Sequence, residues 1–142
     1  MNLLRSLTLL AALSPAALAG GLYLEISKGA PGALLNATVT ACHEPAKSIV
    51  TAHMVTLLNG QLERQPLQVM AVPKQVGVFA IVGKLPADNV IVELAVTNPQ
   101  FANYQPRVLI RAGSGKLQIA TKQHFFSVPP KLADYRQVLL AD

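Results

Sequence analysis

The feature that most constrains this chain is alternation. Over much of its length apolar and polar side chains change places at every residue, the period that puts one row of side chains on each side of a β-strand. Leu35, Ala37, Val39 and Ala41 alternate with Asn36, Thr38 and Thr40. Val90, Val92, Leu94 and Val96 alternate in the same way, with Asn89, Glu93 and Thr97 on the opposite side. Val76, Val78, Ala80 and Val82 fall on one side of a third segment. Further strands are expected at Tyr23–Ser27, Ser48–Leu58, Gln65–Val72, Arg107–Ala112 and Leu117–Thr121.

The breaks between these segments are turn-like. Ala30-Pro31-Gly32, Leu85 to Asn89 and Ala112 to Lys116 each carry glycine, proline or asparagine. Asn59-Gly60 is the strongest hairpin signal, because both residues tolerate positive φ. It should fold Ser48–Leu58 back on Gln61–Val72. Strands about ten residues apart with no helix between them predict a sandwich or barrel, not an α/β fold. The tail differs. After Pro129-Pro130, Leu132, Tyr135, Val138 and Leu139 in Lys131–Ala141 fall on one face of a short helix, expected to dock on the domain or on a partner.

The N-terminus reads as an export signal of bacterial style. Arg5 supplies a positive charge, Leu7–Leu13 an apolar run and Ser14-Pro15 a helix break. Ala17-Leu18-Ala19 then has the small-x-small pattern of a signal-peptidase site, with cleavage between Ala19 and Gly20. A spanning helix needs about 20 apolar residues; this run is shorter and is followed at once by a proline. A lipid anchor would need cysteine where Gly20 and Gly21 stand. The expected organisation is a signal at 1–19, a β-sandwich at 20–128 and a helical tail at 129–142, in a periplasmic or secreted protein with no transmembrane segment after cleavage.

Twelve basic residues against seven acidic give a net charge of +5. The basic residues are scattered singly and tryptophan is absent, so the chain lacks the clustered basic face with stacking aromatics of a nucleic-acid binder. An oxidising compartment permits disulfides, yet Cys42 is the only cysteine, so no bridge can form within the chain and the fold must rest on its core. A lone cysteine in such a place is buried, paired between chains, or a ligand.

Three constellations bear on chemistry. Cys42-His43-Glu44-Pro45 ends a predicted strand, and His53-Met54 follows about ten residues later, with Met70 and His124 as further soft or borderline donors. Thiolate and imidazole suit zinc, and thioether added to them suits copper(I). Cys42, His43 and His53 are therefore the candidate metal ligands, on the condition that the His53 strand pairs beside the one ending at Ala41. His53 and Met54, as strand neighbours, must face opposite ways. A cysteine nucleophile would need His53 or His124 within hydrogen-bond reach of Cys42, and nothing in the spacing brings either there. Gly113-Ser114-Gly115-Lys116 is not a phosphate loop, because Ile110 and Leu117 stand where that motif needs glycine and a hydroxyl. Asn36-Ala37-Thr38 matches a glycosylation sequon but lies inside a predicted strand. Phe101 and Tyr104, like His124-Phe125-Phe126, are expected to plug a sandwich end or to meet a partner.

The run Gln75–Phe79, then Leu85-Pro86, then Val90–Val96 resembles the strand rhythm of bacterial extracytoplasmic immunoglobulin-like domains, the YtkA-like and FixH-like domains among them, over roughly residues 33–112. Asn89-Val90 departs from it, standing where a glycine and an aromatic are typical. The resemblance implies an immunoglobulin-like β-sandwich of about 7–9 strands, here with a short C-terminal helix. By analogy with the FixH-like members it implies a link to copper delivery or oxidase assembly. The expectation from the chain as a whole is an exported, non-enzymatic β-sandwich with no resident cofactor, binding an envelope partner or a second copy of itself or playing a structural role. A copper- or zinc-binding module using Cys42, His43 and His53 is the alternative, and a hydrolase with Cys42 as nucleophile the third reading.

Overall fold

The computed structural model describes residues 21–41, 44–119 and 123–140. The expected signal Met1–Ala19, its cleavage point at Ala19 and Gly20, and Cys42 and His43 lie outside these residues. Among the described residues there are ten strands: β1 (Leu22–Lys28), β2 (Leu35–Ala41), β3 (Ile49–Leu58), β4 (Gln61–Pro66), β5 (Gln68–Ala71), β6 (Val78–Val82), β7 (Val90–Thr97), β8 (Arg107–Gly113), β9 (Lys116–Leu117) and β10 (Gln123–Phe126). One helix, α1 (Leu132–Leu140), follows. None of the described helices is long and apolar enough to cross a membrane.

The strands form two antiparallel sheets. The smaller has the order β1-β2-β6-β5 and the larger β10-β8-β7-β3-β4, with β9 pairing β8. In the strand lettering of immunoglobulin domains these are A-B-E-D and G-F-C-C′, the larger sheet extended past strand G by β10. The fold is an all-β, immunoglobulin-like sandwich. The ten strands exceed the expected number because the stretch Gln61–Val72 is two strands and because β10 forms at Gln123–Phe126, where none is expected. The chain pairs with β3 as far as Pro66, crosses at Leu67, whose N–H donates to the Ala52 carbonyl at 2.9 Å, and joins the other sheet as β5. Of the strand expected at Leu117–Thr121, Leu117 lies in the two-residue β9, residues 118 and 119 are outside any strand, and residues 120 and 121 lie outside the described residues; β10 begins at Gln123.

Alternation explains the core. Leu22, Leu24 and Ile26 of β1, Leu35, Ala37 and Val39 of β2, Val50 and Ala52 of β3, Val92, Leu94 and Val96 of β7 and Val108 and Ile110 of β8 meet between the sheets. The β6 segment departs from the alternation set out above. Phe79 and Ile81 face the core, paired to Ala37 and Leu35, and Val78, Ala80 and Val82 turn outward while Val76 is exposed. Both sides of that strand are apolar, so period two alone cannot choose between them. Asn59-Gly60 and Ser114-Gly115 both turn with positive φ at each residue, as a tight hairpin demands.

Polar contacts and rings close the ends and seams. Asn98 is buried; its Nδ2 donates to Ser48 Oγ at 2.8 Å and to the Glu44 carbonyl at 3.3 Å, and its Oδ1 accepts from the Gln100 N–H. This ties the β2–β3 loop to the β7–β8 loop. Phe101 and Tyr104 pack on the core as plugs. Tyr23 and Phe125 bring the edges of the two sheets together, with ring centroids 6.0 Å apart.

Candidate functional site

The outer face of the larger sheet carries the chemistry. Register sets three rungs across it. Thr51, Ala95, Arg107 and Phe126 form the first; Pro66, His53, Glu93, Leu109 and His124 the second; Arg64, Val55, Ile91 and Arg111 the third. Val55, Ile91 and Leu109 make an apolar floor, and α1 lays Tyr135 and Val138 on it to form a second core. The helix starts where Lys131 N–H donates to Asp134 Oδ2 at 2.7 Å, a side chain reaching back to the first free amide.

Glu93 sits where the floor meets open sheet. It is only 2 % exposed, and burying a carboxylate is costly unless it is paired and hydrogen-bonded. Arg64 Nε donates to Oε1 at 3.1 Å, Tyr135 Oη donates to Oε2, and Arg64 Nη2 donates to Tyr135 Oη at 2.9 Å. The Arg64 guanidinium also lies 5.4 Å from the centre of the Tyr135 ring, within cation–π range. Arg107 approaches Oε2 at 3.6 Å, an ion pair longer than a hydrogen bond. The Glu93 hydrogen bond holds the Arg64 guanidinium above its ordinary value, and burial pushes the Tyr135 phenol up, with the hydrogen bond to Glu93 adding to it.

Beyond Glu93 the face is uncovered. A cleft of about 390 Å³ opens there, lined by Thr51, His53, Arg64, Glu93, Ala95 and Arg107. Larger grooves exist, one of about 530 Å³ beside Leu58 and Leu139 and one of about 700 Å³ between Leu34 and Leu117. Their walls are mainly apolar and hold no comparable set of charges, so the smaller cleft is the candidate site.

The sequence-derived candidates that lie among the described residues, His53, Met54, Met70 and His124, do not converge. The condition that β3 pair beside β2 fails, since β2 lies in the smaller sheet between β1 and β6. His53 faces outward into the cleft, directly opposite Glu93. Met54 turns inward opposite Val92, as strand neighbours must. His124 is on the same rung as His53 but three strands away, roughly 14 Å at the usual strand spacing, so the two cannot share one ion. Its Nε2 is buried without a hydrogen-bond partner. Met70 is half-exposed on the other sheet. Among the described residues no group of three histidine, cysteine or carboxylate side chains is placed to hold a metal.

Sequence reasoning missed Glu93, Arg64, Tyr135 and Arg107 as a unit. Glu93 was expected on the exposed side of its strand. The signal that could have found it is its own row, where Ile91 and Ala95 flank it. An apolar row on the side away from the core asks for a cover, and the amphipathic tail is one. Comparison with protein-family models, curated proteins and solved structures gives no match for this chain.

Proposed function

We propose that the protein is a non-enzymatic binding domain, exported on the Met1–Ala19 signal, that holds a partner protein of the bacterial envelope on the uncovered half of its larger sheet. The observation that carries this is the state of Glu93. Each of its oxygens accepts a hydrogen bond from a fixed protein donor, Arg64 on one side and Tyr135 on the other, and the residue is buried, so the carboxylate is held as a structural anion and is not presented to a substrate proton. General acid–base work needs a group poised to gain or lose a proton; a carboxylate tied by fixed donors recognises charge and shape instead. Thr51, His53 and Arg107 stand beside it on rigid strands, the kind of platform on which contacts keep their geometry.

A photo-crosslinking residue placed at Thr51, in cells, tests the reading against the same residue at Thr40, exposed on the smaller sheet. A discrete adduct at Thr51 that Thr40 does not give is the expected result, in an envelope fraction and not in the cytoplasm. Equal labelling at both positions, or none, would overturn it. The metal-binding reading is tested on the purified protein: copper and zinc titration should be unchanged by Cys42→Ala and His43→Ala, and a loss of affinity in either variant would restore it.

A further inference from the structure

We infer that the cleft is a carboxylate-binding site, in which Arg107 takes an acidic group presented by the partner, a side chain or a chain terminus. This rests on the binding surface proposed above and names the chemistry it reads. The cleft holds two guanidiniums and one carboxylate, a surplus of one positive charge. The two arginines are not equivalent. Arg64 donates to Glu93 and to Tyr135, so two of its donors, Nε and Nη2, are committed to the protein and fix its orientation. Arg107 has the same carboxylate only at 3.6 Å, and its Nε is buried with no hydrogen-bond partner. Tyr135 donates to the same Oε2 oxygen that Arg107 faces, and Arg107 stands beyond hydrogen-bond distance of it.

A planar fork with unspent donors is the usual partner of a carboxylate, which it meets through two parallel bonds. Thr51 and His53 line the same cleft and supply a hydroxyl and an imidazole, either of which can donate to an oxyanion. Ala95, opposite both Thr51 and Arg107, leaves the floor low enough for entry. A volume of about 390 Å³ is at the small end of ligand pockets and suits a short acidic group, not a large cofactor.

The test uses residues 20–142 and amide-resolved NMR with succinate, its neutral diamide and inorganic phosphate as probes. Succinate should give saturable shifts confined to Thr51, His53, Ala95 and Arg107, with millimolar affinity, and the diamide none. Arg107→Gln should weaken succinate by about tenfold or more. Arg107→Lys should recover only part of the loss, since an ammonium is a point charge without the fork. Thr51→Val, which leaves the ion pairs untouched, should weaken it about threefold and guards against misreading a folding defect in the arginine variants. Phosphate binding as well as succinate would extend the site to other oxyanions only if it too were lost in Arg107→Gln; phosphate tighter than succinate overturns the carboxylate assignment. No saturable shift, equal binding of the diamide, or succinate binding indifferent to Arg107 also overturns it. A Thr51 crosslink with a negative anion test leaves the surface standing and removes only the carboxylate; loss of both removes both.

Discussion

The two halves of the larger sheet's outer face are built from the same three strands and treat their neighbours in opposite ways. On the half carrying Val55, Ile91 and Leu109 the side chains are apolar, α1 covers them, and water is gone. On the half carrying Thr51, Ala95 and Arg107 the side chains are small or charged and the face stays open as a cleft. Glu93 lies on the border and is bound from the covered side, through Tyr135 and Arg64. Covering a face contributes stability; leaving one open and charged does not, and costs self-repulsion between Arg64 and Arg107 that one carboxylate must offset. The covered half therefore reads as structural and the open half as the surface kept for something else.

The largest effect should come from the covered half. Tyr135 is among the largest fully buried side chains. Tyr135→Ala removes a ring from a closed core and leaves a void, and should cost about 3–5 kcal/mol, read as a shift in the chemical-denaturation midpoint. Tyr135→Phe keeps the ring and deletes only the hydroxyl between Arg64 and Glu93. It should cost about 1–3 kcal/mol, the scale of a buried acceptor left unsatisfied. If both variants melt like the parent, α1 is not the cover described here.

The next effect sits on the border. Arg64→Ala withdraws the donor on Glu93 Oε1 and leaves a buried carboxylate with Tyr135 and a distant Arg107. Breaking a fully buried pair costs about 3–5 kcal/mol, but the Arg64 side chain is 39 % exposed, so water will partly replace it. A loss of about 2 kcal/mol is expected. In the double variant Arg64→Ala with Glu93→Gln most of that loss should return, because the stranded charge has gone. Simple additivity of the two single losses would mean that they do not form one unit.

Legibility in the sequence divides along the same border. Strands that face the interior on one side and water on the other wrote their alternation plainly, so β2, β7 and the Asn59-Gly60 hairpin could be placed from residues alone. The amphipathic tail was legible too, since Tyr135 and Val138 do face the domain. What could not be read was the strand apolar on both sides, β6, and the sheet switch at Leu67, which is set by where a second sheet lies. The site was the least legible part. Arg64, Glu93, Arg107 and Tyr135 come from four elements; the three charged residues each alone look like surface residues, and Tyr135 reads only as part of a docking face. Only the register of β4, β3, β7 and β8 and the landing of α1 bring them together. Cys42 and His43 drew notice because of residue type, which says nothing about what approaches them.

Alkaline pH should expose the border in a milder way. The Tyr135 phenol is raised above its ordinary value of 10 by burial and by Glu93. The unfolded chain then releases this proton before the folded one does, so the contribution is intact below pH 10 and is lost as pH climbs through the folded value. Stability should fall along that limb, and Tyr135→Phe should flatten it. Tyr104, also raised by burial, keeps part of the slope. An unaltered limb in Tyr135→Phe would mean that Tyr135 is not the tyrosine held protonated.

The smallest effect is expected on the open half, where it separates the two arginines. Arg107→Gln should change stability by under about 1 kcal/mol, the usual range for partly exposed ion pairs without a good hydrogen bond. Its contact with Glu93 is 3.6 Å and its side chain is a quarter exposed, against 3.1 Å and a true hydrogen bond for Arg64. The loss of repulsion toward Arg64 works in the opposite direction and could make the variant neutral. Thr51→Val, on the same rung, should likewise fall within about 0.5 kcal/mol of the parent. A large loss in Arg107→Gln would make Arg107 a second structural partner of Glu93 and close the open half as a surface; a near-neutral variant that no longer binds carboxylate would separate binding from folding at a single residue.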